Sequence, residues 1–277
     1  MTVVRCCSLV MLVAALLVAD VCAGQQITRM SDRREITFDR MVQEIAPARV
    51  VMVGETHDVK THHDLELEVI RALHARGVPL AIGLEMFVTA SQPELDSWSG
   101  GTMPEQSFRQ VYARNWSLEW GLYRDIFLFA RQHQIPFVAL NIPPPIMAKV
   151  VAQGFASLTP EEKQDLPPDV TCAVNTPYTE FLRRVFSQHT GNRRSFTYFC
   201  EAQTLRNNGM AWNIARYART HPGRKVVTLA GAWHAVKTGI PEQLARYGDF
   251  PVSVILPELP GFSLEAASFL DADYFYR

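Results

Sequence analysis

The sequence lacks an excess of charge of either sign. Its 277 residues carry 27 lysine and arginine residues against 28 aspartate and glutamate residues, a formal net charge of −1. Binding to nucleic acid or to an anionic membrane surface depends on a strong basic field, so this balance argues against both kinds of partner. Hydrophobic residues make up 48% of the chain, which is typical of a globular protein, and the length suits one large domain.

Several chemical signatures are also absent. No Cys-x-x-Cys or Cys/His zinc spacing occurs, which argues against a structural zinc site. The phosphate-binding P-loop, the dinucleotide-binding GxGxxG motif and the GxSxG nucleophile elbow are missing as well. The sequence therefore gives no support for nucleotide binding or for serine-hydrolase chemistry, and it contains no internal repeat.

The N-terminus carries a run of apolar residues that resembles an export signal. Residues 9–19 are almost wholly apolar and follow the early cation Arg5, and the run is too short to span a bilayer comfortably. This pattern predicts a signal peptide over residues 1–23 and hence a periplasmic protein. Acylation of Cys22 is the alternative and would give a membrane-anchored lipoprotein, although Asp20 lies where a lipobox usually has a small residue.

Few cysteines remain after that segment. Of the five in the sequence, only Cys172 and Cys200 lie in the predicted mature chain. In an oxidising compartment the two could pair and close a loop worth about 3–4 kcal/mol in chain entropy. Two buried free thiols are the alternative, and the sequence leaves both open.

Strand-like and helix-like segments alternate along the chain. Apolar runs at residues 50–53 and 80–84 flank a helical pattern over residues 64–75, which ends at the C-cap glycine Gly77. This alternation predicts an α/β fold with a mainly parallel sheet flanked by helices. Further strands are predicted at residues 137–140, 226–229 and 252–256.

Two segments are too long to be simple crossovers between strands. Residues 91–133 are rich in tryptophan, tyrosine and phenylalanine on helix-like stretches, and residues 155–221 combine a proline-rich loop with a long helical pair. We predict helical insertions at both places within a single α/β domain over residues 24–277. The tail, residues 261–277, is weakly patterned.

Polar side chains follow four of the predicted strands. Glu55 and His57 follow the first strand, and Glu85, Asn141 and His234 follow three others. Ligands in open α/β sheets bind outside the carboxyl ends of the strands, so we expect these groups to converge. The two histidines and two glutamates could hold Mn, Co or Zn or support histidine general-base chemistry, or they could simply satisfy backbone donors and each other.

Five motifs in chain order carry a family resemblance: GETHD at 54–58, GLEMF at 83–87, NIPP at 141–144, EAQTLRNNGMAWNIA at 201–215 and AGAWH at 230–234. In this order the sequence resembles the ChaN-like haem-binding uptake proteins, which are related to erythromycin esterases and the Tiki/TraB proteins. The resemblance implies an α/β core with helical additions, export to the periplasm or outer membrane, and two stacked haems at a homodimer interface. It also implies a tyrosine as iron ligand with a histidine nearby, and an outer-membrane haem receptor is a further expected partner.

Three tyrosines are candidates for the iron ligand. Tyr178 is the first, because it opens a predicted helix after a proline-rich loop, where its hydroxyl could face a partner subunit. Tyr198 is the second candidate and Tyr123 the third. Each could instead be an amphipathic core residue. No Cys-x-x-Cys-His motif occurs, which excludes covalent c-type attachment of the haem.

Cations and histidines near the helical pair complete the predicted haem site. Arginine side chains bind carboxylates such as haem propionates in a bidentate manner, although any single one could lie on a solvated basic face. The candidates for the propionates are Arg183, Arg184, Arg193 and Arg194, and those for the accessory histidine are His189, His62 and His63.

Two functions thus remain in view. The first interpretation is an exported, non-catalytic haem-binding protein for haem and iron uptake. The alternative is a metal-dependent or histidine-based hydrolase, esterase-like or protease-like, which uses Glu55, His57, Glu85 and His234.

Overall fold

The computed structural model describes most of the predicted domain. It covers residues 26–167, 195–259 and 262–277 and, between the first two of these ranges, residues 170, 172, 176, 178–180, 182–183 and 186. The predicted signal segment lies outside the described residues.

One sheet organises the described residues. Its strands are β1 (Ile27–Arg29), β2 (Arg34–Ile36), β3 (Val50–Glu55), β4 (Leu80–Val88), β5 (Phe137–Asn141), β6 (Lys225–Gly231), β7 (Val252–Pro257) and β8 (Tyr274–Tyr276). They are ordered β2-β1-β8-β7-β3-β6-β4-β5. All pairs from β8 to β5 are parallel, and only the two pairs that involve β1 are antiparallel. The predicted mainly parallel sheet is confirmed.

Helices cover both faces of this sheet. They are α1 (Phe38–Ile45), α2 (Lys60–Ala75), α3 (Gln92–Ser99), α4 (Glu105–Asn115), α5 (Trp120–Gln132), α6 (Pro144–Gln153), α7 (Pro160–Lys163), α8 (Phe196–Thr220), α9 (Ala232–Ala235) and α10 (Ile240–Ala245). Local signals fix several ends: Thr37 caps α1 by accepting the Arg40 N–H at 3.2 Å, and Gly77 adopts a φ of +72° just after α2. In the part of the chain that the structure describes, no helix has the length and apolarity needed to cross a membrane.

Alternate residues of the central strands enter two different cores. Val51 and Val53 of β3 face the side covered by α1–α5. Val50 and Met52 face the side covered by α8, α9 and α10. Because both faces are buried, these strands have continuous apolar runs, and for that reason they could be predicted from the sequence.

The first predicted insertion consists of α3, α4 and α5 around an aromatic core. Trp98 is fully buried and stacks on Phe108 with ring centroids 4.3 Å apart. Its indole N–H donates to the backbone oxygen of Phe127 at 3.0 Å. The tryptophans and phenylalanines noted in the sequence thus hold this insertion to the sheet.

β5 is an edge strand of the sheet, and the side chain of Gln92 covers its outer edge. The Gln92 amide donates to the Phe137 oxygen at 2.8 Å, and the Ala139 N–H donates to the Gln92 carbonyl oxygen, also at 2.8 Å. The amide therefore makes the two bonds that a neighbouring strand would make, and it occupies an edge that would otherwise be open to pairing.

The two ends of the described chain close the opposite edge. β1 pairs with both β2 and β8, and Gln26 and Arg277 exchange backbone hydrogen bonds. The weakly patterned tail thus contains a buried strand. The strands here are three residues long, too short for a pattern that repeats every two residues to be recognised.

A disulfide joins Cys172 to Cys200 in α8. This decides between the two alternatives for these cysteines in favour of pairing. The link ties the segment that leads to Tyr178 to the second turn of the longest helix described.

Candidate functional site

The carboxyl ends of β3, β4 and β6 bring together the predicted strand-end residues. In the sheet, Glu55 at the end of β3 is level with Gly231 at the end of β6. The pairing of β4 with β5 shifts register between Leu84 and Val88, so Glu85 lies at an irregularity of its strand. Such irregularities re-aim side chains. Three strands therefore direct polar groups to the same rim, as the sequence predicted.

Glu55 and His57 form the first pair of the site. The carboxylate is 3% exposed and is hydrogen bonded to His57 Nδ1, and it also accepts from the Tyr123 hydroxyl at 3.3 Å. Burial disfavours the charged imidazole, but the hydrogen bond and charge of Glu55 outweigh burial and raise the pKa of His57 to about 9. At neutral pH His57 is therefore a cation, and its ring lies edge-on to Trp116 with centroids 4.8 Å apart.

Glu85 and His234 form the second pair. One Glu85 oxygen accepts the Gly231 N–H at 2.8 Å, and the other lies 3.5 Å from His234 Nε2. Burial, helped by the charge of Arg206, lowers the pKa of His234 to about 4, although Glu85 opposes the shift. His234 is therefore neutral at neutral pH and can donate from Nδ1 to the Asn207 side-chain oxygen at 2.6 Å.

The two pairs meet on either side of Gly231. A Cβ atom at this position would lie 2.9 Å from His57 Cε1 and 3.7 Å from a Glu85 carboxylate oxygen. A glycine is thus required where the imidazole crosses the end of β6. The convergence of Glu55, His57, Glu85 and His234 is a feature of the structure.

These four groups nevertheless do not form a metal centre. Among the residues that the structure describes, no group of three or more histidine, cysteine, aspartate or glutamate side chains could hold a metal ion. The arrangement is two carboxylate–imidazole pairs, and the predicted Mn, Co or Zn site finds no support in it.

The sequence did not identify two residues of α8 that extend the site. Asn207 is buried and links His234 to Tyr178, whose hydroxyl accepts from the Asn207 side chain at 2.7 Å. Arg206 lies beside this chain, with its Nε buried and without an acceptor among the described residues. The signal in the sequence was the polar run Arg206-Asn207-Asn208, inside a motif quoted only for its resemblance.

The tyrosine candidates occupy three different environments. The Tyr178 hydroxyl points inward to Asn207 instead of toward a partner subunit, and burial raises the pKa of Tyr178. Tyr123 is buried against Glu55, so burial raises its pKa as well. Tyr198 is 36% exposed, and no acceptor or donor for its hydroxyl occurs among the described residues.

Tyr198 lies on a groove of about 730 Å³ between α6 and α8. Its ring packs against Gly154, whose φ is +84° and where a Cβ atom would lie 2.7 Å from the ring. Met147 and Ala202 contribute apolar walls, and Arg206 is the only charged residue among the described residues that line the groove. This groove combines an exposed phenol, an apolar surface and one cation.

The histidines at the start of α2 are not surface groups. His63 is 1% exposed, pairs through Nδ1 with buried Glu66 at 2.9 Å, and stacks against Tyr123. His62 accepts the Thr56 N–H at 2.9 Å, and burial lowers the pKa of His62 to about 4. Both histidines bond to the loop after β3, since His63 Nε2 also lies 3.1 Å from the His57 backbone oxygen.

The remaining predicted cations can be compared with the structure only in part. Arg183 is exposed and lies over the Phe196 ring at 4.3 Å from its centroid. His189, Arg184, Arg193 and Arg194 lie outside the described residues.

Comparison with known proteins extends the family resemblance. Residues 41–244 match the profile of a family described as "Haem-binding uptake, Tiki superfamily, ChaN". The protein RETICULATA-RELATED 5, chloroplastic, of Arabidopsis thaliana is 26% identical over 225 residues, which are 75% of this chain and 30% of that protein. The chain thus spans less than a third of the length of this curated relative.

Two solved structures share the fold. One, described as "Cofacial heme binding to ChaN of Campylobacter jejuni", gives a TM-score of 0.73 at 17% identity over 91% of this chain and 96% of that chain. An erythromycin esterase mutant, EreC in its open conformation, gives 0.52 at 15% identity over 85% and 77% of the two chains. At these identities the similarity concerns the fold alone, and it agrees with the predicted α/β architecture.

Proposed function

The chain belongs to the haem-binding uptake family of the Tiki superfamily, and on that premise we propose that it binds haem in the groove between α6 and α8. Tyr198 is the proposed iron ligand. The observation that carries this assignment is that Tyr198 is the exposed member of the three candidate tyrosines and lines an apolar groove.

The groove fits the chemistry of the ligand. A haem site needs an axial donor, apolar walls and a partner for the propionates. Tyr198 supplies an anionic oxygen once deprotonated, and Met147 and Ala202 supply walls. Arg206 supplies a guanidinium whose buried Nε has no acceptor among the described residues. The volume of about 730 Å³ lies within the usual range for cofactor pockets. When bound, haem would supply the iron, and these residues would hold and orient it.

Tyr178 becomes the weaker candidate for the iron ligand. Its hydroxyl would have to leave Asn207, and the loss would leave a buried amide of Asn207 without its partner. Unsatisfied buried polar groups cost about 1–3 kcal/mol, which haem ligation would have to offset.

The proposal extends to assembly and location. The relative from Campylobacter jejuni is described as binding haem cofacially. We propose the same arrangement here, with two haems stacked between the copies of a homodimer. Export through the predicted signal at residues 1–23, uptake of haem iron and contact with an outer-membrane haem receptor belong to the same proposal.

Hemin titration followed by absorption spectroscopy tests the proposal. Wild-type protein should give a Soret band with the charge-transfer band of a high-spin, tyrosinate-ligated ferric haem. Tyr198→Phe should lose the charge-transfer band and weaken binding at least tenfold, whereas Tyr178→Phe, the matched control, should keep both. Loss of the band in Tyr178→Phe alone would move the ligand to that residue. Hemin bound no more tightly by the wild type than by an unrelated control protein would overturn the proposal.

A histidine-based hydrolase is the second candidate, and one observation favours it. His57 Nδ1 is held by buried Glu55, and its ring lies over Gly231 with more than a third of the side chain exposed. This is the arrangement of an oriented general base.

Since the pKa of His57 is raised to about 9, ester hydrolysis should increase with pH up to that value. His57→Gln should abolish it and leave the Soret band intact, whereas Tyr198→Phe should do the reverse.

A further inference from the structure

A second groove lies further along α8, beyond the one that contains Tyr198. It has a volume of about 570 Å³ and runs between α3 and the C-terminal half of α8, over the first residues of β5. None of the residues that line it belongs to the strand-end pairs or to the Tyr198 groove. The proposed function therefore does not use it.

Hydrogen-bond donors on its walls outnumber the acceptors. Arg216 is exposed, and within the described residues neither its guanidinium nor the Tyr217 hydroxyl has a hydrogen-bond partner. Arg224 donates to the Leu80 oxygen at 3.0 Å, which uses one of its five N–H groups. Three side chains thus offer donors, and two of them carry a positive charge.

Two of the acceptor atoms of the groove already have donors. Asp96 is the only carboxylate among the described residues that line it, and one of its oxygens accepts from the Gln92 amide at 2.8 Å. The Gln92 carbonyl oxygen accepts the Ala139 N–H. The two guanidinium groups therefore leave a net positive charge next to unused donors, which is the requirement of a bound oxyanion.

Part of the groove is apolar. Pro136 and Phe137 form part of the floor, and the Tyr217 ring stacks on His221 with centroids 4.1 Å apart and planes 14° from parallel. The His221 Nδ1–H is directed to the Tyr217 backbone oxygen at 3.1 Å, so this stack is held in place from within the helix. A ligand here would meet two guanidinium groups together with ring faces and proline.

We infer that this groove binds an amphipathic carboxylate, with the acid group on Arg216 and Arg224 and the apolar body along Pro136 and the Tyr217–His221 stack. The site is independent of the haem groove, so either proposal can fail without the other.

Calorimetric titration of the full chain with octanoate tests this inference. Octanoate should bind, whereas octylamine and octanol, which keep the chain and change the head group, should not. Arg216→Gln should weaken octanoate binding at least tenfold, since a charge-assisted hydrogen bond is lost. Arg219→Gln is the matched control, because Arg219 lies on the same helix, contacts the Tyr247 oxygen and does not line the groove. It should bind within twofold of wild type.

Three results would overturn the inference. They are no binding of octanoate to the wild type, equal binding of octanol and octanoate, and an Arg216→Gln variant that binds like the wild type. Arg224→Gln removes the second positive charge of the groove, and it should also weaken octanoate binding. Retention of the Soret band by Arg216→Gln would show that the two grooves act separately.

Discussion

At the scale of single residues, the pKa values of His57 and His234 are shifted in opposite directions although the two side chains lie in one cleft. Burial acts on both, but His57 gains a hydrogen bond and the charge of Glu55, whereas His234 is buried near the cation Arg206. One histidine is therefore charged and the other neutral at the same pH. This separation of states in adjacent side chains is typical of functional sites.

The raised pKa of His57 predicts a pH dependence of stability. An unfolded histidine has a pKa near its ordinary value of 6.5, and the folded value is about 9. The contribution of charged His57 to the free energy of unfolding is therefore complete below pH 6.5 and is lost as the pH rises through 9. Because the side chain is 38% exposed, we discount the effect for solvent screening to about 1 kcal/mol.

Urea unfolding of wild type and His57→Gln at pH 6 and pH 9.5 measures this effect. The wild type should lose about 1 kcal/mol more than the variant between the two pH values. His221→Gln, a surface histidine, should follow the wild type. Parallel pH profiles for wild type and His57→Gln would contradict the assignment.

Substitution of Gly231 should disturb the packing of His57 against the end of β6. In Gly231→Ala the new methyl would lie 2.9 Å from His57 Cε1, so the imidazole must move away from Glu55 or β6 must shift. We expect a loss of about 1–3 kcal/mol in the free energy of unfolding and a lower pKa for His57, measured by NMR titration. Gly121→Ala in the first turn of α5 is the control, because nothing lies within 4 Å of its Cβ position. It should not lower the free energy of unfolding.

The sequence predicted the four strand-end residues but not their grouping. Strand ends in a parallel sheet must share a rim, so Glu55, Glu85 and His234 could be placed together from the pattern alone. The pairing depends on which side-chain atoms meet, and that is decided by a glycine at position 231 and by Asn207 on a distant helix. The exposure of Tyr198 and the inward hydroxyl of Tyr178 depend in the same way on packing that no local pattern records.

At the scale of secondary structure, the longest elements were the most predictable. The helix predicted at residues 64–75 is part of α2, and the central strands extend the predicted runs by one to four residues at their ends. Both kinds of element carry a strong periodic or continuous apolar signal. The short strands β1, β2 and β8 were not predicted, because their pairing with each other, and not their own sequences, makes them strands.

The edge of β5 predicts the behaviour of a variant. Gln92→Ala removes the amide that bonds the Phe137 oxygen and the Ala139 N–H, and it leaves two edge groups open to another chain. We expect concentration-dependent association, measured by light scattering, and a loss of about 1–2 kcal/mol in the free energy of unfolding. Gln132→Ala, at the exposed end of α5, is the control and should stay monodisperse. A Gln92→Ala variant as monodisperse as that control would show that the edge is protected by other means.

At the scale of the whole molecule, the strand-end pairs and the two proposed binding grooves lie along one helix. The N-terminal half of α8 lines the Tyr198 groove, its middle supplies Asn207 to the strand-end pairs, and its C-terminal half lines the second groove. The predicted domain pattern placed this helix inside an insertion. This helix therefore connects the strand-end pairs with both proposed grooves.

The proposed homodimer predicts haem-dependent assembly. If two haems stack between copies, wild type should sediment as a monomer without hemin and as a dimer when hemin is added in equal amounts. Tyr198→Phe should remain monomeric under both conditions, and Tyr178→Phe should behave like wild type. A dimer that forms equally well without hemin would separate assembly from haem binding.

The bond between Cys172 and Cys200 has a practical consequence. A recombinant host that keeps thiols reduced would yield a polypeptide with the right sequence but without its only described cross-link, and the turn of α8 that presents Tyr198 would be less firmly held. Batches prepared in such a host and in an oxidising one would then differ in hemin affinity, so spectroscopic titrations should be accompanied by a thiol assay.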